Sequence, residues 1–585
     1  MKIDGKRIIA FIIKKTDKGY VSYYADTEQR INGSECKKTE IAINPANVGR
    51  ISDLVTNGKF AFVGFGNKYY DNIILNYIIK NKDILSDAGS TSITDMIDNV
   101  LDKILNEQDQ ELEKQYKYVS VFNSFDLQKF LFSKDQQVSL EQFVNASDFK
   151  YTDSNHDVDN IVNILDFNKE RIEARSAIEE IYNEDLFDAH EGVVCAKLMK
   201  SLYARKNSLK RSDLRSVSKS IGKVCLGDIV FPEVSFRTEQ MKMFLDELKN
   251  ETIIVGQDWA KYVSIGKYEL IMNLAGLRMN TEPCMLKSDD DGMLYNIDVK
   301  SFYPSVLVGY RVKPSQVNDT FIDIYGDMLS KRLEFAASGD EKCSEAMKYM
   351  LNGIVGQFMI ENSWLYDPVA SFKIRINGAL LMLMLIEELK DYADIKCVTI
   401  DGMLVKSHED ISNVISQWSG KTKLNATVKH YEYAYMLTNN DYITDSTSKG
   451  FFSYHSNNGR NNVPNIVKVA VEENLVNGVP VKTTISGSSD IRDYLMSISS
   501  NDTLEWNGSI FKNARFYFSN DQKLCKVKDG GYFSEPTLVP VTDCGVTVTD
   551  TIGDSFPDNI DYGYYVSEAN HIIEKLRVQQ LNSFQ

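Results

Sequence analysis

Two aspartates have surroundings that could do chemistry. Asp298 ends a β-patterned run, Tyr295-Asn296-Ile297-Asp298-Val299, after which Ser301-Phe302-Tyr303-Pro304 turns the chain sharply. Asp401 lies between two largely apolar runs, residues 395–400 and 403–405, in an Asp-Gly pair that reads as a hairpin tip. Taken singly, each is an ordinary turn or cap residue. Taken together, two strand-borne carboxylates offer the hard oxygen ligands that Mg²⁺ prefers, and a pair of divalent ions is one way to stabilise phosphoryl transfer.

The elements between them must position such a site. In Lys348-Tyr349-Met350-Leu351-Asn352-Gly353-Ile354-Val355-Gly356 the residues Lys348, Asn352 and Gly356 recur every fourth position, so a helix places a cation, a small polar group and a flat glycine patch on one face. Upstream, residues 321–337 read as a helix stopped by Gly339 and carrying Lys331 and Arg332.

These stretches resemble the motifs of family B DNA polymerases. Residues 298–305 are similar to the family's Asp-x-x-Ser-Leu-Tyr-Pro-Ser, and residues 348–356 to its Lys-x-x-x-Asn-Ser-x-Tyr-Gly, with Val355 in place of the tyrosine. Asp401 matches the second aspartate of the family's Asp-Thr-Asp-Ser hairpin, and Thr399 stands where the first is expected. Many phage relatives keep only that second aspartate, in an Asn-Thr-Asp-Gly form. The order Asp298, Lys348, Asp401 is the family's. Asn273-Leu274-Ala275-Gly276-Leu277-Arg278 sits where phage relatives carry a Gly-Gly element linking nuclease and polymerase modules. Lys449-Gly450-Phe451-Phe452, Pro464-Asn465-Ile466-Val467, Arg515-Phe516-Tyr517-Phe518-Ser519 and residues 559–565 resemble recurring segments of the phage-type enzymes.

The resemblance implies a template-directed DNA polymerase of phage type, adding deoxynucleotides to a primer 3′ end for phage DNA replication in the cytoplasm of an infected bacterium. It implies two Mg²⁺ ions, for which Mn²⁺ can substitute, bound by Asp298, Asp401 and the carbonyl of Val299. Lys348, Arg332 and Asn352 would meet the nucleoside triphosphate, and Tyr303 would lie under its sugar as a steric gate. Lys449 would touch DNA. Fifty residues separate Asp298 from Lys348, and 45 separate Gly356 from Asp401. Protein-primed relatives carry extra subdomains in those intervals, so an ordinary nucleic-acid primer is expected, with a clamp, helicase or other processivity partner.

The amino-terminal third reads as a strand at 60–65 followed by Gly66-Asn67-Lys68-Tyr69-Tyr70-Asp71 opening a helix. This is similar to the second motif of the family's 3′-5′ exonuclease domain, which also uses an Asp-x-Glu on its first strand and a late Tyr-x-x-x-Asp. Asp26-Thr27-Glu28 supplies the spacing if residues 21–24 form that first strand. In the competing register residues 7–14 form it, and it then carries no carboxylate. Tyr182-Asn183-Glu184-Asp185 is one residue short of the late motif, with Leu186 at the expected position. Asp26, Glu28, Asp71 and Asp185 are the candidate nuclease ligands.

Composition agrees with a large globular chain. At 585 residues, 43% hydrophobic and 25% charged, it can bury several cores. The eight cysteines are scattered without a Cys-x-x-Cys pair, so neither a zinc site nor a disulfide framework is indicated. The longest apolar run, residues 379–386, is too short to span a bilayer, and no basic-then-apolar leader opens the sequence, so no membrane is expected. The net charge of −16 is unusual for a DNA-binding protein. Yet residues 197–223 hold nine basic residues against one acid, and Arg205, Arg211 and Arg215 there could line a phosphate track.

The expected fold class is therefore α+β and multidomain, a right-hand polymerase with an amino-terminal RNase H-like α/β domain. That domain is placed over residues 1–190 and a basic connector over 191–265. An antiparallel palm occupies 266–312 and 360–450, helical fingers 313–359, and a thumb and C-terminal region 451–585, entered through a loop at 456–463. Pro464 and Gly478 should bracket a helix. Two other functions stay open: an inactive, polymerase-like nucleic-acid-binding subunit, and a 3′-5′ exonuclease whose polymerase half only holds DNA.

Overall fold

An unbroken apolar run, residues 8–13, makes the centre of the amino-terminal sheet buried on both sides. In strand β1 (Lys6–Thr16), Ile9, Phe11 and Ile13 enter one core while Ile8 and Ala10 enter another. β1 pairs antiparallel with β2 (Gly19–Ile31), which pairs antiparallel with β3 (Glu35–Ala42). On its other side β1 runs parallel to β4 (Phe60–Gly64), and β4 runs parallel to β5 (Ser124–Asp126). The order is β3-β2-β1-β4-β5. Helices α1 (Pro45–Thr56), α2 (Asp71–Lys80) and α3 (Ser90–Leu105) supply Val48, Ile74 and Ile97 to the first core. The helix Asp157–Phe167 covers the other face through Val158, Ile161 and Leu165. Parallel pairing at a sheet's centre requires such cover on both faces.

This is a computed structural model, and it describes residues 2–3, 5–31, 35–119, 121–132, 138–140, 143–144, 157–187, 190–216, 222–452, 463–528, 537–549 and 556–582. The chain divides into two compact units, one of Met1–Asp213 with Asp327–Ile354, the other of Leu214–Gly326 with Val355–Gln585. The first division falls inside the basic stretch, at Asp213. Lys219 of that stretch and positions 456–462 of the expected entry loop lie outside the described residues.

The second unit holds a four-stranded antiparallel sheet. Its strands are β6 (Met293–Val299), β7 (Asp394–Val398), β8 (Gly402–Ser407) and β9 (Ala426–Tyr431), in the order β7-β8-β6-β9. After β6 the chain forms α4 (Phe302–Gly309), and the stretch expected to be helical becomes α5 (Thr320–Ser338) and α6 (Glu341–Gly356), joined through Gly339 at φ +79°. Helix α7 (Pro368–Leu389) starts on Asp367, whose side chain accepts from the Ala370 amide, with Pro368 in the first turn.

Among the described residues, helix α7 is apolar over a greater length than the sequence suggested. Over 22 residues it is long and apolar enough to cross a bilayer, but 83% of its most apolar window is buried within the protein. A helix hydrophobic all round is what a core position requires.

The segment 273–278 is also not what its placement implied. It is a tight hairpin inside the second unit, between the strands Tyr268–Asn273 and Gly276–Met279, rather than a link between modules. Farther along, Pro464 and Gly478 bracket the helix Asn465–Asn477, with Gly478 left-handed at φ +69°. The recurring segments around Phe518 and Tyr564 pack on each other, their rings stacked 3.5 Å apart, and the Phe518 amide donates to the Tyr565 hydroxyl at 2.9 Å. Those segments therefore build a core.

Candidate active site

The register of β6 brings the two aspartates together. Asp298 faces Gly402 across the β6–β8 pair, and the Val299 amide donates to the Asp401 carbonyl at 2.8 Å. Paired residues in an antiparallel ladder lie about 5 Å apart, so both carboxylates leave the same end of the sheet as neighbours. Both are exposed, although Ile297 and Val299 on either side of Asp298 are buried. The strand's alternation thus turns one carboxylate outward between two core residues. On the other flank Thr427 donates its hydroxyl to the Asp298 carbonyl at 3.1 Å.

Thr399 accounts for the missing first aspartate. Its amide donates to the Gly402 carbonyl at 2.9 Å and its hydroxyl donates to the same carbonyl at 3.2 Å, closing the turn under Asp401. The hydroxyl also reaches Asp401 Oδ1 at 3.5 Å. The position is a brace.

Tyr303 is set against this pair by an abrupt reversal. Ser301 adopts left-handed φ 50°, ψ 50° and caps α4, so the strand becomes a helix within two residues. The Tyr303 hydroxyl donates to the Ala275 carbonyl at 2.7 Å, and its ring stacks on Phe302 with centroids 5.4 Å apart. Gly378 of α7 lies close behind, since a Cβ there would sit 3.1 Å from the Phe302 ring and 3.4 Å from the Tyr303 ring. Burial pushes the Tyr303 hydroxyl up to about 12; Arg375 opposes the rise, Asp401 adds to it and Arg278 opposes it. The phenol therefore stays neutral at physiological pH.

Residues that sequence reasoning passed over complete the surroundings. Tyr442, paired across strands with Lys449, is pushed up to about 12 by burial first, then by Tyr431, Cys397, Asp298 and Asp401. Lys449 is exposed. No local signal marked Tyr442, because a tyrosine in a short strand is ordinary sheet material.

The fit of this site to divalent cations can be judged from its donors. Two exposed carboxylates on adjoining strands and a neighbouring backbone carbonyl are hard oxygen ligands, the set that Mg²⁺ takes when substrate phosphates and water complete its shell. Among the described residues no group of three or more His, Cys, Asp or Glu side chains is arranged to hold a metal.

Lys348, Arg332 and Asn352 belong to the first unit. Lys348 lies on α6, 3.0 Å from Glu345, and Asn352 is exposed one turn later. Val355, where the family motif has tyrosine, is 3% exposed and serves packing. On α5, Arg332 is half-buried and its neighbour Lys331 lies over the Tyr182 ring at 4.7 Å.

The candidate nuclease ligands do not converge. The first strand is β1, so Asp26 and Glu28 fall on β2, in the competing register. Arg7 holds Asp26 through its Nε at 2.8 Å and its Nη2 at 2.5 Å, and approaches Glu28 at 3.5 Å. Asp26 pairs with Ile9, whereas Asp71 accepts from the Ile13 amide at 2.6 Å, about 13 Å farther along β1 at the usual rise per residue. β4 pairs with β1 only as far as Ala10, so Asp71 satisfies an amide beyond the end of that ladder. Asp126 is likewise occupied, accepting from the Gly66, Lys68 and Gln128 amides. Asp185 is exposed, and its neighbour Glu184 takes Arg211 at 2.7 Å and Arg205 at 3.4 Å. Two of the arginines nominated for DNA therefore already serve Glu184, while Arg215 is exposed in the second unit.

No protein-family model and no curated protein matches this sequence. Among solved structures, the chain is similar to the family B DNA polymerase from the hyperthermophilic archaeon Pyrobaculum calidifontis, at 11% sequence identity and a TM-score of 0.44. That likeness covers 98% of this chain and 78% of the archaeal one, and it concerns architecture alone.

Proposed function

We propose that this chain is a template-directed DNA polymerase, of family B and phage type, which adds deoxynucleotides to a primer 3′ end. The observation that carries the reading is the pairing of Asp298 with Gly402, which brings two exposed carboxylates to one end of the sheet, close to the hairpin tip on which Tyr303 is anchored. A cytoplasmic role in an infected bacterium follows from the phage-type motifs.

When bound, two Mg²⁺ ions would activate the primer hydroxyl and neutralise charge on the leaving pyrophosphate. Asp298 and Asp401 would hold them, with the Val299 carbonyl as a further ligand. The chain's own part is then positioning. Ser301, left-handed at φ 50°, turns the backbone from β6 straight into α4, which places Tyr303 in the first turn of that helix. Lys348 and Arg332 would supply cations to the triphosphate and Asn352 would lie beside it, by their match to the fingers motif. The neutral Tyr303 ring would occupy the space beneath the sugar and exclude a ribose 2′-hydroxyl. Lys449 and Arg215 would meet DNA phosphates, and Arg205 and Arg211 would join them only by giving up Glu184.

In the same reading the amino-terminal unit is an RNase H-like domain without a working metal centre, because its acids serve Arg7 and backbone amides. Primer extension with Mg²⁺ on a 5′-labelled primer-template tests the proposal. Extension dependent on template and on deoxynucleotides supports it, whereas DNA binding without extension would instead identify an inactive polymerase-like subunit.

A further inference from the structure

Resting on the polymerase reading above, we propose that Arg375 is a positioning residue for sugar selection, holding the hairpin tip at residues 273–276 on which Tyr303 is anchored. The tip is two residues long, Leu274 and Ala275, between the paired Asn273 and Gly276. Asn273 Oδ1 accepts from the Ala275 amide at 2.8 Å and from the Gly276 amide at 3.2 Å, so the turn is closed by its own side chain. Both carbonyls of the tip are then taken by side chains from elsewhere in the same unit. Arg375 Nη1 donates to Leu274 at 2.9 Å, and the Tyr303 hydroxyl donates to Ala275 at 2.7 Å.

The tip is therefore a shared strut between α4 and α7. Space around it is tight: a Cβ on Gly276, whose φ is +137°, would lie 3.0 Å from both the Tyr303 hydroxyl and an Ile400 methyl. Ile400 immediately precedes Asp401, so the tip, the tyrosine and the hairpin of the carboxylates are in one packed group. Arg375 Nε is buried with no hydrogen-bond partner, a cost retained along with the Nη1 contact. α7 is buried along most of its length, which makes it a rigid base for that contact.

Removing Arg375 frees the Leu274 carbonyl and leaves the Tyr303 hydroxyl as the hydrogen bond that ties the tip to a helix, so the ring and the tip can shift together. Displacements of about 1 Å are enough to alter reactivity greatly in an oriented site. Here the shift would enlarge the space beneath the sugar and admit a 2′-hydroxyl.

The test is single-nucleotide insertion with Mg²⁺ by the full chain, comparing kcat/KM for a ribonucleotide and its deoxy counterpart. Arg375→Ala should raise the ribo-to-deoxy ratio about tenfold, the effect of losing one positioning hydrogen bond, and Arg375→Lys, which can still donate to Leu274, should recover most of it. Tyr303→Phe keeps the ring but cuts it from Ala275. In that background Arg375→Ala should add nothing, because the path from arginine to ring is already broken. A wild-type ratio in an Arg375→Ala protein that extends with deoxynucleotides overturns the proposal, as do effects that multiply in the double variant. If Arg375→Ala loses its cooperative thermal transition, a wild-type ratio in Tyr303→Phe overturns it instead. Failure of the wild type to extend any primer rejects the polymerase reading and takes this role with it, whereas extension with an unmoved ratio rejects the role alone.

Discussion

The Val299 amide donates to the Asp401 carbonyl at 2.8 Å, so the strand that carries one carboxylate ends on the turn that carries the other. One backbone hydrogen bond thereby sets the spacing of the two acids, and it does so independently of their side chains. The neighbouring Gly402 explains itself by the same geometry. A Cβ there would stand 2.6 Å from the Ile297 carbonyl oxygen, closer than real side chains come to backbone.

Asp298→Asn or Asp401→Asn should leave the backbone register and primer-template binding largely intact while reducing nucleotide addition about 10³-fold or more. Each ~1.4 kcal/mol of lost transition-state stabilisation is tenfold in rate, and charge at a phosphoryl-transfer centre is worth several of these steps. Single-turnover extension alongside a DNA-binding assay measures both. Near-normal extension by either variant would sink the assignment of the two acids.

Gly402→Ala should also lose nucleotide addition, but through the backbone. The Ile297 carbonyl cannot move without breaking the β6–β8 ladder, and overpacking of this kind costs roughly 1–3 kcal/mol. Activity and thermal midpoint are expected to fall together, in contrast to the two aspartate variants. An alanine variant with wild-type midpoint and rate would reject the requirement for glycine at this position.

Tyr303→Ala or Tyr303→Val should raise ribonucleotide incorporation more than it lowers deoxynucleotide incorporation. The ring is fixed by Phe302, by the close approach of Gly378 and by the Ala275 carbonyl, so truncation opens a defined space rather than a mobile one. Competition between ribo- and deoxynucleotides at one template position reads the ratio. An unchanged preference in a folded variant rejects the gate.

The amino-terminal unit should show weak or absent 3′-5′ degradation of a labelled single strand when nucleotides are withheld. Asp26 is tied to Arg7, and Asp71 and Asp126 are spent on backbone amides. Mg²⁺ requires near-ideal oxygen geometry, which acids already committed to an arginine and to backbone amides do not provide. Brisk degradation that stops on Asp26→Ala or Glu28→Ala would overturn this, and brisk degradation indifferent to Asp71→Ala would place the nuclease elsewhere.

Asp71 should also make stability fall as pH rises. Burial, opposed by the amides of Ile13 and Asp71 and reinforced by Asp126, raises its carboxyl from 3.8 to about 7. The folded protein therefore keeps this proton where the unfolded chain has released it. The contribution is full below the unfolded value near 4, declines between there and about 7, and is lost above. Asp71→Asn keeps an oxygen to accept from Ile13 and removes the titration. Thermal melts of the full chain between about pH 5 and about pH 8 should slope downward for the wild type more steeply than for Asp71→Asn. Parallel slopes would mean that Asp71 is ionised throughout.

Local pattern alone determined a good deal of this protein. A continuous apolar run made β1 a strand and the β-patterned residues before Asp298 made β6 one, the Asp401-Gly402 pair made a hairpin, and Pro464 with Gly478 bracketed a helix, because each is a statement about backbone angles and burial within a few residues. The pairing of Asp298 with Asp401 was legible for a related reason, since both stood at ends of strands in one antiparallel arrangement. What only the tertiary structure decided is which side chain meets which distant partner. Arg7 meets Asp26 across 19 residues of sequence, Asp71 meets Ile13 across 58, and Arg375 meets Leu274 across 101. Such meetings depend on strand register and on the packing of helices against sheets, and a one-residue shift in register alone reverses which face of the sheet a side chain occupies. An aspartate in a nuclease-like motif and one in a structural bond to an amide have the same local sequence, and burial beyond the end of a ladder is what separates them.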